Sequence, residues 1–320
     1  MTQTTEFKRY FVTGGVGFIG SHLVDSLMAK GNQVTVYDNL VSGSIENIGH
    51  HTSNANFSFV QADLLDYPAL KETMAGHDIV WHLGSNTDIL RGNRVTDLDL
   101  KNCTIATRNV LEAMRQNQID RILFASSATV YGDVPPVVLD ESFGPLLPIC
   151  LYGAGKLASE GLISAYCHLF GIRGWIFRFG NVVGARMGHG VIHDFIQKLK
   201  KNPQEMEILG DGNQEKNFFL VEDCIDGMLY ALQKSNHGCD VFNLGCESSI
   251  KVADIARIVA EEMKLQDVKF RYTGGERGWP GDAPYILFNV EKMRKLGWSA
   301  SHTSAEAVRI AARRLIKETE

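Results

Sequence analysis

Tyr152 and Lys156 are the pair in this sequence whose types and spacing best suit proton transfer. They are four residues apart at the start of a predicted helix, so both side chains lie on one face. A phenol titrates near ~10, and an ammonium beside it favours the phenolate and moves that value toward neutral pH. Such a group can take a proton from a hydroxyl as hydride leaves the same carbon. Ser127 is the third candidate. It ends an apolar strand, and its hydroxyl can hydrogen-bond the reacting oxygen as that oxygen passes from hydroxyl to ketone. Tyr-x-x-x-Lys alone occurs in many ordinary helices, so its weight depends on a hydride acceptor being held nearby.

The first forty residues offer that acceptor a site. Tyr10, Phe11 and Val12 read as a buried strand, followed at once by a glycine-rich turn, and then by helical spacing of Phe18, Ile19, Leu23, Leu27 and Met28. Gly15, Gly17 and Gly20 complete Gly-x-Gly-x-x-Gly, with Gly14 in addition. Strand, glycine turn and helix together are the context that gives this pattern meaning. The glycines allow a tight turn, the approach of a pyrophosphate to the backbone, and close helix–strand packing. The anion then lies at the helix N-terminus, where unpaired N–H groups face it. A second strand, Gln33 to Tyr37, ends in Asp38. An acidic residue there accepts the ribose hydroxyls of adenosine and repels a 2′-phosphate. No Arg or Lys lies between Asp38 and Asn47, so NAD is expected rather than NADP. The plainer alternatives are a glycine turn without ligand and a solvated turn aspartate.

Further strands are predicted at Phe57–Val60, Ile79–Leu83, Arg121–Ala125 and Gly174–Phe179. Helices are predicted from Pro68, over about 95–117 with Val110, Leu111 and Met114 on one face, and over 152–170. This alternation predicts an α/β fold, a doubly wound parallel Rossmann sheet of order 3-2-1-4-5-6, with a smaller, interleaved C-terminal lobe that the resemblance given below makes substrate-binding. The cofactor domain is expected over 1–180, with 216–247 returning to it and 241–244 as a seventh strand. Residues 181–320 make the lobe, with helices at 191–201, 221–234, 251–263 and 305–317. The chain has no repeat or linker. Its 44% hydrophobic and 22% charged residues suit a sizeable core. A net charge of −5 without a basic run argues against nucleic acid. Six scattered cysteines, none in Cys-x-x-Cys spacing, read as free thiols and give no zinc site; no metal is expected. The polar start, Met-Thr-Gln-Thr-Thr-Glu, does not read as a signal peptide, and no apolar run has membrane-spanning length. A cytoplasmic protein without a membrane partner is expected.

Taken together, these segments resemble the extended short-chain dehydrogenase/reductase family of nucleotide-sugar enzymes over essentially the whole chain. Thr13-Gly-Gly-Val-Gly-Phe-Ile-Gly20 is similar to that family's glycine motif, Tyr37-Asp-Asn-Leu40 to its ribose-binding strand end, and Asp63-Leu64 to its adenine contact. Ser126-Ser-Ala-Thr-Val-Tyr-Gly132 resembles the serine segment of UDP-galactose 4-epimerases, and Tyr152-Gly-Ala-Gly-Lys156 supplies tyrosine and lysine. Arg178-Phe-Gly-Asn-Val-Val-Gly-Ala-Arg186 resembles the start of the substrate lobe. The resemblance implies tightly held NAD, with Gly14, Gly17, Phe18, Ile19, Gly20, Asp38, Asn39, Asp63, Leu64, Leu83, Tyr152 and Lys156 around it. It implies a nucleoside-diphosphate sugar held by Ser127, Thr129, Asn181, Lys216 and Arg277. Ser127, Tyr152 and Lys156 would be catalytic.

The chain departs from the pattern at several positions. Lys216-Asn217-Phe218 stands where epimerases often carry Arg-Asp-Tyr, so a cation survives without a bidentate grip. Arg-x-Gly-Asp is stretched to Arg277-Gly-Trp-Pro-Gly-Asp282, and Gly84 replaces a common alanine. Ungapped counting puts Ile286 at the position that gates N-acetyl groups in epimerases. His22 and His82 read as packed or hydrogen-bonded rather than catalytic. Asn102 either supports the active-site backbone, as in relatives, or lies on a helix surface; Asp88, Arg91 and Arg94 either touch substrate or form a solvated turn. Surplus apolar residues on the helices at 95–117 and 152–170 imply the four-helix homodimer of relatives. The expected reaction is C4 epimerisation of a UDP-hexose through a transient 4-ketone. Dehydratases place Asp-Glu or Ser-Glu where this chain has Ala128-Thr129, and related decarboxylases carry glutamate at Thr129. A 4-dehydrogenase that releases the ketone is the nearest rival, and a non-catalytic cofactor sensor the rival of another class.

Overall fold

Seven short apolar runs form one parallel sheet: β1 (Arg9–Thr13), β2 (Gln33–Asp38), β3 (Phe57–Gln61), β4 (Ile79–His82), β5 (Arg121–Ser127), β6 (Arg173–Phe179) and β7 (Cys239–Leu244). The structure, a computed structural model, describes residues 8–319, so the polar N-terminal hexapeptide lies outside the described residues. The strand order is β3-β2-β1-β4-β5-β6-β7. This is the doubly wound order expected from the alternation, extended by the returning strand. Phe11, Val12, Val34, Val36, Val80 and Trp81 are all fully buried. Strands covered on both faces need such unbroken apolar runs rather than alternation. Each fully buried Val, Leu or Phe side chain contributes about 1.5–3 kcal/mol.

The crossover helices are α1 (Phe18–Ala29), α2 (Tyr67–Met74), α3 (Ala106–Gln116) and α4 (Leu151–Phe170). Asp66 caps α2 by accepting from Ala69 N, with Pro68 in the first turn. Val110, Leu111 and Met114 of α3 are fully buried against a core that includes Phe11, Leu70, Ile122 and Ile163. The helix expected over 95–117 is not continuous. A short helix, Ile89–Arg94, ends at Val95, and a π-helical turn, Leu100–Ile105, leads into α3. α4 packs tightly on that wider turn at Gly155. A Cβ on Gly155 would sit 3.2 Å from Asp99 O and 3.1 Å from Cys103 Cβ.

Contacts divide the chain into two units. One comprises residues up to 126, 154–177 and 236–241; the other comprises 127–153, 178–235 and 242–320. The second unit has a four-stranded sheet of Ile250–Lys251, Glu215–Lys216, Tyr285–Phe288 and Val138–Leu139, in that order. Two further parallel pairs join Asn181–Val183 to Phe218–Leu220 and Glu205–Ile208 to Lys269–Tyr272. Its longer helices are α5 (Val191–Lys201), α6 (Val221–Lys234), α7 (Val252–Glu262) and α8 (Ser304–Glu318), with a short helix at Glu291–Leu296. Thr303 and Glu306 close a capping box on α8, which Arg309 and Arg313 tie to Glu262 of α7. No helix among the described residues is long and apolar enough to cross a membrane.

Candidate active site

The glycine turn is built as the motif requires. Gly14 has φ +70°, and a Cβ there would lie 2.7 Å from Gly84 N. A Cβ on Gly20 would lie 2.1 Å from Gly14 O, so α1 reaches the turn only through glycine. Gly17 is different. It is the N-cap of α1 without a side-chain cap, and a Cβ there would meet only Gly14 O, at 3.3 Å. The helix N-terminus therefore keeps unpaired N–H groups beside open space, which fits a pyrophosphate.

Asp38 ends β2 and is held in place by the same turn. Its carboxylate accepts from Val16 N at 3.3 Å and Leu40 N at 2.9 Å. Burial pushes its pKa up, against the pull of those backbone N–H donors. Asn39 Nδ2 donates to Asp63 Oδ2 at 3.0 Å, and Asn109 Nδ2 to Leu64 O at 3.0 Å. Leu83 N donates to Thr13 O at 3.2 Å, so β4 ends in register with the glycine turn. Room is scarce at Gly84: a Cβ would be 3.1 Å from Leu64 Cδ1 and 3.2 Å from Thr13 Oγ1. An alanine methyl here would need its neighbours to give by a few tenths of an ångström.

Beneath this turn lies a network that motif reading did not assemble. His82 is fully buried, with Nδ1 2.8 Å from Thr13 Oγ1 and Nε2 2.9 Å from Thr107 Oγ1. Gly84 N donates to the same Thr13 hydroxyl at 3.0 Å. Burial, and secondarily the Lys156 charge, push the His82 pKa down to about 3. The imidazole is neutral and links β1, β4 and α3, in keeping with its reading as a hydrogen-bonded core histidine.

Lys156 is buried under β5. Its Nζ donates to Ala125 O at 2.6 Å and lies 4.9 Å from the Phe124 ring centroid. Burial pushes its pKa down, while Cys103, Asp99 and Glu160 pull it back up. Glu160, one turn further along α4, accepts from Ser126 Oγ at 2.5 Å. Asp99 accepts from Asn86 Nδ2 at 2.9 Å, and its Oδ2 is buried with no partner among the described residues. Glu160 was findable as an i+4 neighbour of Lys156. Asp99 carries no motif signal.

At the last residue of β5, Thr129 N and Thr129 Oγ1 both donate to Ser127 Oγ, at 3.2 and 3.0 Å. The serine's own proton is then directed away from Thr129, toward any acceptor placed beside it. A Cβ on Gly153 would lie 2.7 Å from Thr129 O. The first turn of α4, which carries Tyr152, is therefore seated directly on the Ser127–Thr129 segment. Gly155, between the tyrosine and the lysine in sequence, packs instead on Asp99 and Cys103.

The candidate substrate residues occupy the second unit. Asn181 Nδ2 donates to Asn217 O at 3.0 Å. Lys216 is ion-paired with Asp282, and Arg277 bonds Asp133 at 2.6 Å and Asp282 O at 2.8 Å. Ile286 is buried in the strand beside Lys216. Asn102 Nδ2 turns back to Leu98 O at 3.0 Å, and Asp88 caps its own short helix by accepting from Arg91 N.

The profile of the NAD dependent epimerase/dehydratase family matches residues 10–245. A Methanocaldococcus jannaschii protein provisionally named UDP-glucose 4-epimerase is 34% identical over 307 residues, spanning 93% of this chain and 95% of its own. UDP-glucuronic acid decarboxylase 2 of Arabidopsis thaliana is 33% identical over 272 residues, 82% of this chain; those residues span only 59% of the plant protein. A crystal structure of a UDP-galactose 4-epimerase, 39% identical, superposes with a TM-score of 0.86 over 98% of this chain and all of that one. With its glycine turn, its Asp38 and these relatives, the chain belongs to the NAD-dependent epimerase/dehydratase family of extended short-chain dehydrogenase/reductase enzymes, and its cofactor is NAD.

Proposed function

We propose that this enzyme inverts C4 of a nucleoside-diphosphate hexose, a UDP-hexose in the first instance, through a transient 4-ketone. NAD, when bound, supplies the reversible hydride acceptor for that carbon. Tyr152 takes the O4 proton and later returns it. Lys156, one turn away on the same helix, adds positive charge that favours the deprotonated phenol. Ser127 donates to O4, its proton directed there by the two bonds it accepts from Thr129. In this reading the first unit carries the cofactor and the second carries the sugar nucleotide. Asn181, Lys216 and Arg277 contact the diphosphate end, with the phosphate oxygens taking over from Asp282 and Asp133 as partners of the two cations.

The observation that carries the reading is the segment Ser127-Ala128-Thr129. Elimination at C5 and C6 needs an additional acid and base beside the serine, and neither alanine nor threonine exchanges protons near neutral pH. Epimerisation needs no further group: the ketone turns over and is reduced on its other face. The 33% identity to a UDP-glucuronic acid decarboxylase favours a second reading, decarboxylation of a hexuronate. Threonine in place of that group's glutamate counts against it. A panel of UDP-hexoses and UDP-hexuronates followed by proton NMR separates the readings. A C4 epimer is expected. A UDP-pentose or a 6-deoxy-4-keto sugar would overturn the proposal.

A further inference from the structure

We infer that the chain carries a surface site for a zinc-class divalent transition ion, made by Asp25, His50 and His51 and separate from the candidate active site. His50 Nε2 and His51 Nε2 lie 2.8 and 2.7 Å from the same carboxylate oxygen, Asp25 Oδ1. The two rings are 4.0 Å apart between centroids, tilted by 45°. One ligand atom from each residue falls within 4.8 Å of the others. Without a metal, each ring needs a proton on Nε2 to donate to the shared carboxylate oxygen. A single cation replaces both protons at once. Zinc bonds nitrogen at about 2.0–2.1 Å and oxygen at about 2.0–2.2 Å, so the ligand atoms need to part by only about half an ångström. Two imidazoles and one carboxylate suit zinc, cobalt, nickel or copper, and not calcium or magnesium. The His50 side chain is 52% exposed, so the ion can enter, and its remaining coordination is left to water. The cysteine spacing that gave no zinc site is irrelevant here, because no cysteine takes part.

The site also has a consequence for stability. Asp25 belongs to α1, whereas His50 and His51 belong to the short 3₁₀ turn Gly49–His51. The segment leading to that turn rests on the glycine motif. Ser44 N and Asn47 Nδ2 both donate to Val16 O, at 3.3 and 2.9 Å, and Ile48 is fully buried. Val16 N in turn donates to Asp38. An ion bridging α1 and this segment binds the folded chain, where the three ligands meet, and so stabilises it by mass action.

The test is zinc binding to chelator-stripped, full-length protein by calorimetry, with cobalt as a spectroscopic probe. Wild type should take up one zinc per chain and melt at a higher temperature with zinc than without. His50→Ala and Asp25→Asn proteins, with folding checked by circular dichroism, should bind more weakly by over the ~10–100-fold that outer-shell losses cost. They should also lose the thermal shift. Cobalt-loaded wild type should show ligand-field bands absent from both variants. Equal zinc binding by wild type and variants, or no saturable binding by wild type, would overturn the inference.

Discussion

At Tyr152 the proposed chemistry rests on one hydroxyl, so its removal should be selective. Tyr152→Phe keeps the ring and its packing while deleting the proton acceptor. We expect kcat to fall by about 10²–10⁴-fold, with NAD still bound. A Tyr152→Phe enzyme as fast as wild type on its identified sugar would remove the assignment. His82 makes a different prediction, in stability. Its folded pKa is about 3, against an ordinary value near 6.5. Between those values the unfolded chain binds a proton at this residue and the folded chain does not. Its contribution is therefore complete above about pH 6.5 and lost as the pH falls toward 3, at up to about 1.4 kcal/mol per unit. A His82→Gln protein should show a shallower loss of stability over that window in denaturant titrations. Parallel curves for the two proteins would contradict the neutral, buried imidazole. At this scale the sequence was legible where the feature lies within one short stretch of chain, as in the glycine turn between β1 and α1. It was illegible where the role depends on long-range contact. Nothing in the spacing joins Thr13, His82 and Thr107, and nothing pairs Ser126 with Glu160.

At the scale of elements, Gly153 in the first turn of α4 lets that turn, which carries Tyr152, pack on the Ser127–Thr129 segment. A Cβ at Gly153 would press on Thr129 O, a backbone atom with little freedom to move. Gly153→Ala should cost about 1–3 kcal/mol and shift Tyr152 away from Ser127. Activity should then drop while NAD affinity stays near wild type, measured by cofactor titration beside steady-state rates. Equal losses in both would place the damage elsewhere. The sheet strands and main helices were readable because buried parallel strands are continuous apolar runs and helices repeat with their own period. The π turn at Leu100–Ile105, beside Gly155 of α4, was not, since one wide turn leaves no periodicity of its own. The second unit's strands of two to four residues are too short for any periodicity to register.

For the whole molecule, the outer face of α4 and the π turn leading into α3 suggest a partner surface. Leu169 is 72% and Phe170 48% exposed, Ile105 and Leu100 are exposed as well, and Ala154, Ala158, Gly161 and Ala165 form an exposed small-residue line along α4. A proposed homodimer packs these helices against their copies, with the small residues allowing close approach. Light scattering at micromolar concentration should give about twice 35.5 kDa, and Ala158→Arg should give monomer. A monomeric wild type would contradict the dimer.

The central claim is that the ketone is remade into sugar on the same enzyme. Its most direct measurement is the product of the cognate nucleotide sugar, supplied in large excess over enzyme with no added oxidant, alongside the absorbance of reduced cofactor. Many turnovers to the C4 epimer, with no net accumulation of NADH, is the predicted result. One equivalent of 4-keto sugar per enzyme, with NADH remaining bound, would contradict it and make the enzyme a 4-dehydrogenase.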